Sequence, residues 1–363
     1  MDRSIREHGF LPGSDPLAAF PRGSPLAVLD EIGRDLPSLL HDSGFRTFAR
    51  RLTIPGWVEP DDPAQRLPQL RLYYVRLGFL ASAYVNQVGQ PPSNILPANL
   101  AVPLCQVCKL LSRPPILSYD GYALYNWKRF DPSGPIALGN IDTIQNFVHM
   151  YDEHWFILVH VEIECIAARI LAAIDDAARG FAKSDKAAIN EALGAIGEAV
   201  WRQVDVLRRI PEKMDPALYF KTFRPYIRFF EHVVYEGVDA KPMDFRGETG
   251  AQSSIMPTLV VLMKIPHRQS MLTDHLADMQ TFMPLEHRQL IAQVRALPDL
   301  RPLAAREPYN DVLEAMATFR ETHLGWADEY INKRTSDPRG TGGTPYMQWL
   351  AQLIGETRDH KLP

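Results

Sequence analysis

The stretch Arg320 to Tyr330, RETHLGWADEY, decides how this chain is read, because it sets a histidine on the apolar stripe of a long helix. Val312, Met316, Phe319, His323, Ala327 and Tyr330 follow one another in steps of four and three, the spacing of one buried helical face. His323 therefore points inward, either as a core residue satisfied by a hydrogen bond or as a metal ligand. Working outward, Tyr309 to Lys333 reads as one helix and Leu272 to Ala296 as another. Phe156, Val159, Ile163, Ile166 and Ile170 mark a third, ending near Gly180, within a region of long helical patterns that begins at about Asp142. Asp215-Pro216 supplies the N-cap and first-turn proline of a fourth, which Pro225 is expected to kink.

The first 140 residues differ. Prolines recur from Pro12 to Pro115, so helices there must be short and separated by irregular segments. Strand signals are sparse, and Pro115-Ile116-Leu117 is too short to build a sheet. The expected fold is all-α. A small proline-rich helical domain with its linker, residues 1–140, caps a larger helical-bundle domain, residues 141–363, the two joining around 129–141.

At 363 residues and 46% hydrophobic content, the chain can build a full core. A formal net charge of -4 and a pI near 6.3 leave no basic excess for phosphates, so nucleic acid is not an expected partner. The opening residues MDRSIREHGFLPGSDP lack the apolar core of a secretory signal. The longest apolar stretch, Trp155 to Ile174, is interrupted by His160, Glu162, Glu164 and Arg169, which argues against a membrane span. A soluble cytoplasmic protein is the expectation. Cys105, Cys108 and Cys165 are too few for a disulfide framework, and Lys109 stands where a haem-attachment motif after Cys108 needs histidine. They read as ordinary buried or partly buried thiols.

Two glycine-containing loops interrupt the helical half. Gly247 to Ser254 (GETGAQSS) and Gly340 to Thr344 (GTGGT) each precede a helix, the second with Thr344 as N-cap before Pro345. Helix caps are the plain reading; backbone amides turned to an anion or a flat ligand are the other. No lysine follows the last glycine as a phosphate loop requires. Arg224 lies in an aromatic and aliphatic run, Tyr219 to Ile227, where a guanidinium either stacks on a ring or grips a ligand carboxylate with its fork. His149, His154, His160, Glu162 and Glu164 invite a non-haem metal site, but no His-Glu-x-x-His occurs and no pair of Glu-x-x-His motifs lies on two helices.

Taken together, Leu96 to Cys108 (LPANLAVPLCQVC), Pro114 to Tyr119 (PPILSY), Asn126 to Lys128 (NWK), Val234 to Gly237 (VYEG), Gly250 to Ser254 (GAQSS), the helix bearing His323 and the Gly340 to Thr344 loop resemble, in order, the indoleamine 2,3-dioxygenase family. Gly9-Phe-Leu-Pro12 and Leu36-Pro37 extend the resemblance over nearly the whole chain. It implies an all-helical haem b dioxygenase in which His323 is the proximal ligand and the protein's only bond to iron, leaving the opposite face for dioxygen. It further implies that Arg224 binds the substrate carboxylate, that Tyr219 and Phe220 are pocket aromatics, and that Tyr119 and Phe156 wall the indole. Thr341 falls in the loop that closes over the amino acid. Thr249 and Gly250 fall beside the haem edge, its propionate and the substrate.

Two positions depart from the family pattern. His160 stands where some members carry a small hydroxyl residue; a shifted register would put Leu158 there, but the register that also matches Glu164 favours His160. In the related tryptophan 2,3-dioxygenases a distal histidine accepts the indole N–H, a role the resemblance offers His160. Val260 replaces an acidic residue expected to pair with Arg320, leaving Arg320 to meet a propionate without that support. The implied reaction adds both atoms of dioxygen across the indole C2=C3 bond, giving N-formylkynurenine from L-tryptophan, with an electron donor keeping the iron ferrous. Other oxidation chemistry on a substituted indole in secondary metabolism, and a haem-based gas or indole sensor, remain the alternatives.

Overall fold

The computed structural model describes residues 7–335 and 346–363. Its framework is helical: α1 (Val28–Leu39), α2 (Phe45–Arg51), α3 (Arg66–Val85), α4 (Ala98–Leu110), α5 (Tyr151–Ala182), α6 (Lys186–Leu207), α7 (Ile255–Leu262), α8 (Met271–Gln280), α9 (Leu285–Arg295), α10 (Arg306–Tyr330) and α11 (Tyr346–Asp359). Short strands tie the connections. β1 (Ile95–Leu96) runs parallel to β4 (Phe230–Tyr235), pairing Ile95 with Val234, and β4 runs antiparallel to β5 (Met243–Phe245). β2 (Trp127–Arg129) and β3 (Ile141–Thr143) form a separate antiparallel pair. Each is too brief to form a layer of its own, so the all-α reading holds.

Two expected helices differ in detail. Leu272 to Ala296 is not continuous: Pro284 has no N–H for the ladder and takes an extended ψ of 145°, so the chain stops after α8 and restarts as α9. Asp215 does cap the next candidate, its carboxylate accepting from the Ala217 and Leu218 amides at 2.8 and 2.9 Å. Only one turn follows, however. Tyr219–Phe223 widens into a π-turn closed by Arg224 N–H to the Tyr219 carbonyl at 3.1 Å, and Pro225 ends the helix instead of kinking it.

α5 separates two apolar cores. Ile157, Leu158 and Val161 face one, built around Tyr73, Tyr74, Leu77 and Leu80 of α3. Trp155, Val159, Ile163, Ile166 and Ile170 face the other, shared with α6 and α10. A single helix serves both because its apolar residues cover two stripes, the pattern of a helix buried within a larger bundle. Phe156 lies at the junction, packed against both cores. Chain crossings bind the two together: Phe10 inserts into the second core, while Tyr226, Ile227 and Phe230 return to the first. Gly9 permits that insertion, since its φ is +65° and a Cβ there would meet the Glu164 carbonyl of α5 at 2.2 Å.

Candidate active site

Along the stripe of α10, Val312, Met316, Ala327 and Tyr330 are buried, but Phe319 and His323 in its middle are only half-buried. The stripe thus opens onto space at the position of the histidine. Among the described residues neither ring nitrogen of His323 has a hydrogen-bond partner, which removes the reading as a satisfied core residue. Burial first, then the nearby His160, brings its pKa down to about 4, so its imidazole is neutral and keeps a lone pair to donate.

His160 approaches from α5 and is close enough for the two rings to feel each other's charge. Its Nδ1 lies 2.7 Å from the Phe156 carbonyl, which only accepts, so Nδ1 carries the proton and Nε2 is left as an acceptor. Burial lowers its pKa as well. Leu158 is sealed in the first core, so His160 is the residue of the pair that shares space with His323. The walls are aromatic. Phe156 stands 4.6 Å from the His160 ring and 5.6 Å from Tyr219, and Tyr119 meets His160 edge-on at 5.8 Å. Arg224 is 6% exposed, with its guanidinium carbon 5.2 Å over the Phe220 ring. It therefore stacks, but in the interior, beside a Tyr219 phenol whose ionisation it eases against a stronger upward push from burial.

The Gly247 to Ser254 segment is stitched to these walls. Gln252 accepts from the Tyr119 amide at 3.0 Å and donates to the Gly247 carbonyl at 2.9 Å, while the Tyr119 and Ser253 hydroxyls both donate to Glu164, at 2.8 and 2.6 Å. Thr249 is the N-cap of a short turn within the loop, accepting from the Ala251 amide, whereas Ser254 at the head of α7 makes no side-chain cap hydrogen bond. Gly250 is exposed, with nothing within 4 Å of where a Cβ would lie.

Arg320 needs a correction. The sequence leaves it without support opposite Val260, which packs with the second core. In the fold α11 supplies that support: Arg320 Nη1 donates to the Leu353 carbonyl at 3.2 Å and to the Thr357 hydroxyl. Thr341, with the Gly340 to Thr344 loop, lies outside the described residues. Tyr346, the first described residue after them, comes within the field of Arg224. Sequence reasoning missed Tyr346, and also Tyr122, which contacts Phe156 at 6.3 Å, and Glu248, whose burial no local pattern signals.

The histidine and carboxylate cluster on α5 disperses. His149 meets Ser38 at 3.0 Å, His154 meets Asp142 at 2.9 Å, and Glu162 accepts from the Leu138 amide at 2.8 Å. No group of three metal-ligating side chains occurs among the described residues. A bare ion needs several protein donors, whereas a haem iron takes four nitrogens from its macrocycle and needs only an axial one. A single unpartnered imidazole at a half-open, aromatic-walled space fits haem. The three cysteines are free thiols, pushed up by burial to about 11, 12 and 11 for Cys105, Cys108 and Cys165. Among the described residues no helix is long and apolar enough to cross a membrane.

The family model for indoleamine 2,3-dioxygenase matches residues 4–338. Indoleamine 2,3-dioxygenase 1 of Rattus norvegicus is 30% identical, over 90% of this chain and 87% of its own. Indoleamine 2,3-dioxygenase of Saccharomyces cerevisiae is 28% identical, over 96% and 90%. A 6-hydroxytryptophan 2,3-dioxygenase of Fusarium equiseti is 25% identical, over 94% and 92%. With the His323 imidazole free of hydrogen-bond partners among the described residues, and with relatives matched along nearly its full length, this chain belongs to the indoleamine 2,3-dioxygenase family and is a haem-iron dioxygenase acting on indoles with dioxygen.

Proposed function

We propose that the protein oxidises L-tryptophan in the cytoplasm, adding both atoms of one dioxygen across the indole C2=C3 bond to give N-formylkynurenine, with a separate electron donor keeping the iron ferrous. The observation that carries this reading is the neighbouring pair His160 and His323, grouped with Phe156, Tyr119, Tyr219 and Arg224. When bound, haem iron supplies the activation of dioxygen. The chain's own task is then orientation. His323 holds the iron. Tyr119 and Phe156 fix the plane of the indole, His160 Nε2 accepts its N–H, and Arg224 takes the α-carboxylate beside Tyr219 and Phe220. Thr341 closes the site over the amino acid. Thr249, Gly250 and the remaining nitrogens of Arg320 serve the haem edge and propionates, with Gly250 leaving room for the substrate. Residues 1–140 act as a cap on a catalytic domain of 141–363.

The haem-loaded protein, reduced and aerated, should convert L-tryptophan into a product with the absorbance of N-formylkynurenine, and His323→Ala should be purified with little haem. A wild-type protein that turns over no indole would overturn the reading. Activity confined to ring-substituted tryptophans would instead favour the substituted-indole chemistry that the name of the Fusarium relative carries.

A further inference from the structure

Glu248 is 3% exposed, yet its carboxyl meets no hydrogen-bond donor and no cation among the described residues. Its neighbours are phenols: Tyr119, Tyr122 and Tyr219 all lie within its field. Its placement is imposed by the backbone. A Cβ on Gly247 would lie 2.4 Å from the Ile227 carbonyl oxygen and the Arg228 carbonyl carbon, so only glycine lets the two segments touch there. Glu248 N–H then bonds the Ile227 carbonyl at 3.0 Å, fixing the backbone from which the side chain leaves. Its oxygens are not among the sealed orphan atoms, unlike Glu164 Oε2, so the carboxyl opens onto space. A buried acid without a partner is costly, and desolvation alone raises its pKa to about 8. Glu153 and Glu164, equally buried, each accept at least two hydrogen bonds. Glu248 is the exception that asks for a ligand.

We propose that Glu248 is the receptor for the substrate's α-ammonium group. The inference rests on the amino-acid reading above, in which Arg224 takes the carboxylate and no side chain was assigned to the amine. Tyr219 lies within the fields of both Arg224 and Glu248, so the two charges of an α-amino acid find opposite charges near one phenol. An ammonium entering there converts a neutral, unpartnered acid into a charge-paired carboxylate, releasing its proton to solvent. Glu248 thereby selects amino acids and arylalkylamines over indole carboxylic acids.

The test is calorimetric binding to the haem-loaded protein of three ligands with a common ring: L-tryptophan, tryptamine without the carboxylate, and indole-3-propionate without the amine. Glu248→Gln should weaken tryptophan and tryptamine on the order of 30-fold or more, the loss for truncating one partner of a buried charge pair, and leave indole-3-propionate unchanged. Arg224→Ala should weaken tryptophan and indole-3-propionate and spare tryptamine. Proton release on tryptophan binding, read in buffers of different ionisation enthalpy, should vanish in Glu248→Gln. Glu248→Asp keeps the charge and should retain part of the amine preference. Equal losses for all three ligands, or none, would overturn the assignment even if tryptophan is turned over normally. If the wild type bound none of the three, the indole reading would fall and take this one with it.

Discussion

The hydrogen bond from His160 Nδ1 to the Phe156 carbonyl fixes both the tautomer and the direction of the ring within one helical turn. An acceptor pointed at the open space and a neutral ring suit an indole N–H. 1-Methyl-tryptophan lacks that proton and puts a methyl where the imidazole lies. It should therefore bind worse than tryptophan to the wild type, and His160→Ser should narrow the gap by roughly 1–3 kcal/mol, the cost of a buried acceptor left unsatisfied. An identical methyl penalty in both proteins, measured by titration of the haem-loaded form, would show that His160 does not meet the ring nitrogen. Haem content should be the same in both, since the iron bond belongs to His323.

Among elements, α10 and α11 are joined by the buried guanidinium of Arg320 and by Arg358, which pairs with Glu314 and Glu321. Arg320 is 6% exposed, and burial lowers its pKa to about 10 against the opposing pull of Glu356. Its contact with α11 runs through Thr357, which is fully buried, accepts from Arg320 and donates to the Leu353 carbonyl at 2.7 Å. Thr357→Val keeps the shape and removes the hydroxyl, leaving Arg320 Nη1 with a single acceptor. The expected loss is about 1–3 kcal/mol of unfolding free energy in urea, with haem content unchanged. Wild-type stability in this variant would mean that the pairing of α10 and α11 rests on their apolar contacts and on the ion pairs of Arg358 with Glu314 and Glu321. The π-turns at Asp120–Leu124 and Tyr219–Phe223 are the other element-level feature. Each follows or begins with a tyrosine of the candidate site, and the extra residue per turn displaces the side chains that come after it from a regular helical register.

Across the whole molecule, three buried carboxyls couple folding to pH. Burial raises Glu153 and Glu164 to about 7 and Glu248 to about 8, from an ordinary value of 4.5. The native state therefore holds these protons more tightly than the unfolded chain does. The resulting stability is complete below about pH 4.5 and drains away as pH rises through 7 to 8. Urea midpoints should fall between pH 5 and pH 8. Glu153→Gln, which keeps an acceptor oxygen for the Phe147 and Val148 amides, should lose on the order of 1–3 kcal/mol less over that interval than the wild type. Parallel curves for the two proteins would show that Glu153 ionises in the native state without cost.

The helices of the second half were legible in the sequence because periodicity and capping are local. The stripe through His323, the stripe on α5 and the Asp215 cap each depend on residues within a few turns of one another, and so does the break at Pro284. An inward histidine and an aromatic run ending in arginine could be named on the same basis. Tertiary structure decided what those residues meet. Tyr119 reaches Glu164 from 45 positions away and Gln252 from 133, and no local pattern encodes such pairings. Long-range closure packed Leu158 into the first core, gave Arg320 its support from α11, and left Glu248 buried without a partner among the described residues. Period and capping are properties of a segment, whereas desolvation, charge pairing and open space arise only when distant segments pack against each other.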